Sequence, residues 1–176
     1  MTSPSVSFRR ATPLDAPSLS AFARRVFHDT FAADNTPEDM AVYLAQAFSP
    51  ATQQAELEET QRVCLLMEAD GVLIGYASLL DSAPHSAVAA AHPVEIERFY
   101  LDQGWHGRGV AAALMDAARG VARGWQGDVL WLGVWERNAK AIHFYEKQGF
   151  ERVGAQTFWL GSDEQQDAVM STALTA

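Results

Sequence analysis

The residues best suited to chemistry lie in Leu101-Asp-Gln-Gly-Trp-His-Gly-Arg-Gly-Val-Ala-Ala-Ala-Leu-Met115. An apolar strand feeds a glycine turn, and the turn opens a helix. Gly107 and Gly109 lack a Cβ, so the main chain can turn sharply and approach a ligand closely. The first turn of the helix presents unpaired N–H groups and the positive end of the helix dipole. Ala111, Ala112 and Ala113 leave the approach open. These features suit a phosphate or diphosphate, although a close-packed turn without a ligand has the same pattern. The P-loop pattern Gly-x-x-x-x-Gly-Lys-Ser/Thr is absent. A dinucleotide site is disfavoured as well: Ala112 could pass for the third glycine, but no acidic residue ends a second strand about 20 residues on, and Asp128 opens a strand instead.

Two further groups flank this turn. Glu95, Glu97 and Phe99 share one face of an extended strand, with Ile96 and Arg98 on the other. Two neighbouring carboxylates can raise one another's proton affinity toward useful values. After the next apolar strand comes Asn138-Ala-Lys-Ala-Ile-His-Phe-Tyr145-Glu-Lys-Gln-Gly149-Phe150.

The glycine turn followed by Asn-x-x-Ala-x-x-Phe-Tyr-x-x-x-Gly-Phe resembles the GNAT superfamily of acetyl-CoA-dependent N-acetyltransferases. Phe27-His-Asp-Thr-Phe31, Asn35-Thr-Pro-Glu-Asp-Met40, Glu95-Ile-Glu-Arg98, Trp131-Leu-Gly-Val-Trp-Glu136 and Phe158-Trp-Leu-Gly161 make it similar, within that superfamily, to the PaiA-type spermidine/spermine acetyltransferases of bacteria. The resemblance spans most of Val26 to Met170. It departs at His106, where the superfamily usually has Arg or Gln.

The resemblance implies an α/β (α+β) GNAT fold: a mixed central sheet of about six to seven strands, splayed in the middle, with helices on both faces. It implies acetyl-CoA as cosubstrate. The main-chain amides of His106, Gly107, Arg108, Gly109, Val110, Ala111 and Ala112 would hold the diphosphate. Backbone groups of Phe99, Tyr100 and Leu101 would pair with pantetheine. Asn138 is an N-cap, a pantetheine contact, or both. Lys147 meets a phosphate or belongs to a solvated face. Tyr145 matches the family's general acid for the coenzyme thiolate; its alternative is a core tyrosine beside Phe144 and Phe150.

The implied reaction is direct attack by an amine in a ternary complex. A polyamine nitrogen has a pKa near 10.4, so removing its proton at pH 7 costs about 4–5 kcal/mol, and a carboxylate can help by taking it. Glu97 is the expected base and Glu95 the backup or a substrate contact, directly or through water. Asp29 and Asp34 are expected to wall the acceptor site, where acidic groups suit a polycation. A protein or peptide amine, or another small-molecule amine, is the second acceptor class; an acetyl-CoA-binding regulatory module without turnover is the third reading. A homodimer is compatible with the superfamily, but no interface is legible.

The elements that must position these residues read as one α/β unit over 1–176. Phe8 to Ala11 is a short strand, and Thr12-Pro13-Asp15 starts a helix carrying Leu19, Phe22 and Val26 on one face. Thr36-Pro37 starts a second, with Asp39 as a capping-box acid, and Ser49-Pro50 a third. Val63–Glu68 and Val72–Leu80 form a hairpin about Asp70-Gly71. Residues 81–93 form a mobile loop. Val110–Arg123 and Asn138–Gln148 are helices around the strand Val129–Trp135. Phe150–Trp159 and Ala168–Ala173 make a last hairpin about a turn at Gly161–Gln166. Trp131 and Trp135 are expected to fill core.

The net charge follows from 13 Lys and Arg against 22 Asp and Glu, which is −9. With no basic run, non-specific nucleic-acid binding is excluded as an expectation. The single cysteine, Cys64, permits no internal disulfide and no multi-thiolate metal site, and it reads as buried filler. His85 and His92 lack metal-ligating company, so no metal is expected. There is no run of 18 apolar residues, and Met1–Arg10 does not read as a secretory signal. The default compartment is the cytoplasm.

Overall fold

The start signals read from the chain are used, and side chains close three of the helix starts. Thr36 Oγ1 accepts from the Asp39 N–H at 3.2 Å, Ser49 Oγ from the Thr52 N–H at 3.1 Å, and Asn138 Oδ1 from the Ala141 N–H at 3.2 Å. The computed structural model describes residues 5–175; the reading of Met1–Arg10 lies in part on residues 1–4, outside the described residues. The order is β1 (Val6–Arg10), a 3-10 turn (Pro13–Asp15), α1 (Ala16–Phe31), α2 (Pro37–Ala47), α3 (Pro50–Leu57), β2 (Arg62–Ala69), β3 (Val72–Leu80), β4 (Pro93–Leu101), α4 (Val110–Gly124), β5 (Val129–Trp135), α5 (Ala139–Lys147), β6 (Glu151–Leu160) and β7 (Asp163–Ala173).

The seven strands form one mixed sheet in the order β1-β2-β3-β4-β5-β7-β6. Only β4 and β5 run parallel. Leu114, Met115 and Ala118 of α4 and Tyr145 of α5 pack on one face against Val94, Ile96, Leu130 and Leu132. Leu19, Phe22 and Phe27 of α1 and Met40 and Leu44 of α2 pack on the other face against Cys64, Leu66 and Tyr76. Cys64 is buried there, and burial pushes its thiol up to about 12.

Four expectations need correction. Strict alternation along β4 fails, because its pairing with β3 slips: Ser78 faces Arg98 and Leu79 faces Ile96, which leaves Glu97 as an extra, bulged residue. Val94 and Ile96 enter the α4 face before the bulge and Phe99 and Leu101 enter it after, while Tyr100 joins the α1 face. Phe99 therefore does not share a face with Glu95. The last turn is also tighter than expected, since β7 begins at Asp163. Asp39 is not a simple capping-box acid: Oδ2 accepts from the Thr36 hydroxyl, and Oδ1 accepts from the Ser162 N–H at 2.7 Å and its hydroxyl at 2.9 Å. It thereby ties α2 to the β6–β7 turn. The segment 81–92 has no helix or strand, yet it is anchored. Trp131 Nε1 donates to the Ala83 carbonyl at 2.8 Å, and Asp128 accepts from the Ala91 and His92 N–H groups at 2.7 and 2.9 Å.

Strand β4 is fixed to α3 by a nearly buried ion pair. Arg98 Nη2 donates to Glu56 Oε1 at 3.0 Å, the two side chains are 11% and 16% exposed, and the guanidinium lies over the Phe48 ring at 5.0 Å. Removing one member leaves the other buried and uncompensated. Glu56→Ala is expected to lower unfolding stability by about 3 kcal/mol in urea titration. Glu59→Ala, which removes a half-exposed partner of Arg62, is expected to cost under about 1 kcal/mol. Equal losses would show that the buried pair does not hold β4.

Candidate active site

The site begins where β4 and β5 stop pairing. Their parallel ladder contains only Pro93–Val129, Val94–Leu130 and Glu95–Trp131. Past Glu95 the strands part, and the edge of β4 facing β5 is left without a strand partner. Unpaired main-chain groups on such an edge can accept an extended ligand as a strand would. A cavity of about 460 Å³ fills the split. Its glycine-turn end is lined by His106, Gly107, Ala111, Asn138, Lys140 and Ala141; Phe99, Phe144 and Tyr145 line its middle. Its far end is lined by Phe27, Phe31, Tyr43, Trp135 and Phe158, with Glu95, Glu97, Gln156, Gln165 and Asp167.

At the glycine-turn end, Gly107 and Gly109 take φ of +75° and +79°, a backbone region costly to any residue with a Cβ. Gly109 is the N-cap of α4 and provides no side-chain cap, in contrast to the capped starts of α2, α3 and α5. The amides of Val110, Ala111 and Ala112 thus open α4 without a side-chain acceptor, an arrangement that fits a diphosphate. His106 Nδ1 lies 2.9 Å from Lys140 Nζ, and its Nε2 lies 3.2 Å from the Leu101 carbonyl. An ammonium only donates, so Nδ1 accepts and Nε2–H donates to Leu101. Arg108 stacks over Trp105 at 5.0 Å.

Lys140 was not anticipated, although the sequence held a signal: a cation in the first turn of a helix opposes the dipole and invites an anionic partner. The expected Lys147 is exposed in the last turn of α5, about 10 Å further along the axis, and does not line the cavity. Asn138 caps α5 and also lines the cavity.

The middle of the cavity holds Tyr145, which is 7% exposed. Its ring meets Phe99, Phe144 and Phe150 edge-on, and burial alone raises its phenol. Nearby, Glu97 is bound to Arg62 and lies 3.8 Å from Arg98. Glu95 makes no ion pair among the described residues; burial first, and then the charge of Glu97, pushes it up to about 7 against the pull of Arg62. The structure therefore brings both carboxyl groups to one cavity and distinguishes them: Glu97 is neutralised by arginines and Glu95 is not.

Asp29 and Asp34 are exposed and do not reach the cavity. Helical spacing points Val26, Phe27 and Thr30 inward instead, and Asp29 pairs weakly with Arg25 at 3.8 Å. Trp135 is not core filler: its ring meets Phe31 at 6.2 Å and lines the cavity. The far end also holds Asp167 and Gln156, which sequence reasoning missed. Both lie beside Gly133, where an added Cβ would collide with the Gln156 amide and come within 3.1 Å of Asp167 Oδ2. Among the described residues no cluster of three or more His, Cys, Asp or Glu is placed to hold a metal, and no helix is long and apolar enough to cross a membrane.

Residues 24–150 match the model of the acetyltransferase (GNAT) family, and the chain belongs to that family. It is 37% identical over 161 residues to an uncharacterised N-acetyltransferase of Lactobacillus delbrueckii subsp. lactis, covering 91% of this chain and 92% of the relative. It is 31% identical to the streptothricin acetyltransferase of Streptomyces lavendulae, covering 84% and 82%. Its fold matches the crystal structure of the PaiA N-acetyltransferase of Thermoplasma acidophilum in complex with coenzyme A. That match has a TM-score of 0.77 and 20% identity, and covers 96% and 99% of the two chains.

The protein is an acetyl-CoA-dependent acyltransferase, and its open helix start, free strand edge and Lys140 fit that cosubstrate. Lys140→Ala is expected to weaken coenzyme A binding about five- to tenfold in calorimetry, and Lys147→Ala to leave it within twofold. A large loss with Lys147 alone would move the phosphate contact to the other end of α5.

Proposed function

We propose that this enzyme transfers the acetyl group of acetyl-CoA to a primary amine of a polyamine, by direct attack while both substrates are bound. The observation that carries the reading is the unpaired Glu95 carboxyl in a ring-walled chamber continuous with the diphosphate cradle. Aromatic faces favour a cation lying over them, and a carboxyl group without a protein cation beside it favours an ammonium. The net charge of −9 draws polycations toward the chain.

The coenzyme supplies an activated thioester; the protein positions the amine, moves its proton and excludes water. Glu95 takes the role of base; burial keeps it basic, and the charge of Glu97, itself held by Arg62 and Arg98, adds to that rise. A carboxyl at about 7, compared with one at its ordinary value, reduces the cost of accepting an ammonium proton by about 3 kcal/mol. Tyr145 keeps its proton at neutral pH because burial raises its phenol. It can donate that proton toward the sulfur as the C–S bond breaks. Phe99, Tyr100 and Leu101 offer the β4 edge to pantetheine, and the open turn from His106 through Ala112 offers its amides to the diphosphate.

A small-molecule amine of another kind is the second reading. It is favoured by the identity with streptothricin acetyltransferase across most of both chains. Incubation with acetyl-CoA and a panel of amines, followed by free thiol release, separates the two. Turnover of another amine with none of any polyamine would overturn the acceptor assignment and keep the chemistry.

Two expected outcomes test the residues. Tyr145→Phe should lower kcat at least about tenfold with coenzyme affinity within twofold; unchanged turnover would remove Tyr145 from proton transfer. Glu95 acts only when ionised, and its proton affinity in the free enzyme is raised. Hence kcat/KM should rise with pH at unit slope, centred near 7, and level off above. Glu95→Gln should abolish that limb, whereas persistence of the same limb in the variant would assign it to another group.

A further inference from the structure

Asp167 is a buried carboxyl group whose protein surroundings do not neutralise it. The residue is 8% exposed, pairs with Trp135 across β5–β7 and lines the far end of the cavity. It forms no salt bridge among the described residues. Its polar neighbour is the Gln156 amide. Burial pushes its carboxyl up to about 6, Gln156 opposes that rise, and the charge of Glu136 adds to it. Of the cationic side chains that line the cavity, Arg98 is bound to Glu56 and Lys140 lies against His106 at the opposite end.

An acid buried without a cation is destabilising unless something offsets it. The fold nevertheless makes room for this one. Gly133 leaves vacant the volume that a Cβ would need, and Gln156 and Asp167 lie across it. Trp135, Phe31, Tyr43 and Phe158 wall the same space with ring faces and edges. A site of this composition suits an organic ammonium: carboxylate for charge, amide for orientation, rings for the methylenes beside the nitrogen.

We propose that Asp167 is a specificity-determining residue that holds the second, non-reacting ammonium of a diamine acceptor while Glu95 faces the reacting nitrogen. The inference rests on the polyamine reading and assigns its second anchor. Register sets the span. Glu95 lies beside Trp131 on one side of β5 and Asp167 beside Trp135 on the other, so the two backbones are four residues apart along β5, ~13 Å, and two strand spacings apart across it, ~10 Å, which makes ~16 Å in all; both side chains point into the cavity and shorten the gap. A flexible chain of several methylenes between two nitrogens fits; a monoamine leaves Asp167 without a cation.

The test measures binding of 1,7-diaminoheptane and 1-aminoheptane to the full chain saturated with coenzyme A, by calorimetry, in the wild type and in Asp167→Asn. The wild type should bind the diamine at least tenfold more tightly than the monoamine. Asp167→Asn should lose that preference by weakening the diamine alone, with monoamine and coenzyme affinities within twofold. Gly133→Ala, which displaces Gln156 and Asp167 together, should reproduce the selective loss. An unchanged diamine preference in Asp167→Asn, equal loss of both amines, or no diamine preference in the wild type would each overturn the assignment. Acetylation is scored separately. Diamine binding through Asp167 without acetyl transfer keeps the subsite and removes the polyamine reaction; acetylation of amines without diamine preference does the reverse.

Discussion

The rest of this structure depends on a hydrogen-bond ladder that stops. β4 and β5 pair through Glu95–Trp131 and then part, so a sheet otherwise paired throughout its interior exposes a main-chain edge at its centre. Main-chain groups need partners, and the separated edge can take an extended ligand that brings its own amides. The bulge at Glu97 lies two residues beyond the last residue of β4 paired with β5. It reverses which face each later residue of β4 addresses, sending Phe99 to the α4 face and Tyr100 to the α1 face. The same extra residue places Glu97 and Arg98 where Arg62 and Glu56 can meet them.

Two kinds of charge surround that split. One is internally balanced: Arg62 with Glu97 and Glu59, Arg98 with Glu56. These pairs fix β4 to β2 and α3. The other is unbalanced: Glu95 and Asp167 are raised mainly by burial. The contrast separates scaffold from candidate site: groups that already have partners position strands, and buried carboxyls without them are where ligand chemistry is sought.

Much of this was legible in the chain. Cap residues located α2, α3 and α5, apolar runs bounded by turn residues located the strands, and the glycine turn and the Asn138–Phe150 segment, singled out together, do line one cavity. What escaped was non-local. The bulge depends on how β3 and β4 settle against each other, and no period along β4 alone reveals it. Asp167 and Gln156 belong to a hairpin whose register brings them over Gly133, so they meet the site only after β7 inserts between β5 and β6. Asp29 and Asp34 misled because their charge suited the chemistry, whereas helical geometry turned them to solvent.

The burial of Cys64 has a practical consequence. The chain has one thiol, enclosed between the sheet and α1 and far from its reactive ionised form at neutral pH. Electrophilic dyes that capture released coenzyme therefore find the folded polypeptide silent. Once the sheet opens, that sulfur becomes available, and the same dye changes from a turnover monitor into a built-in gauge of denaturation.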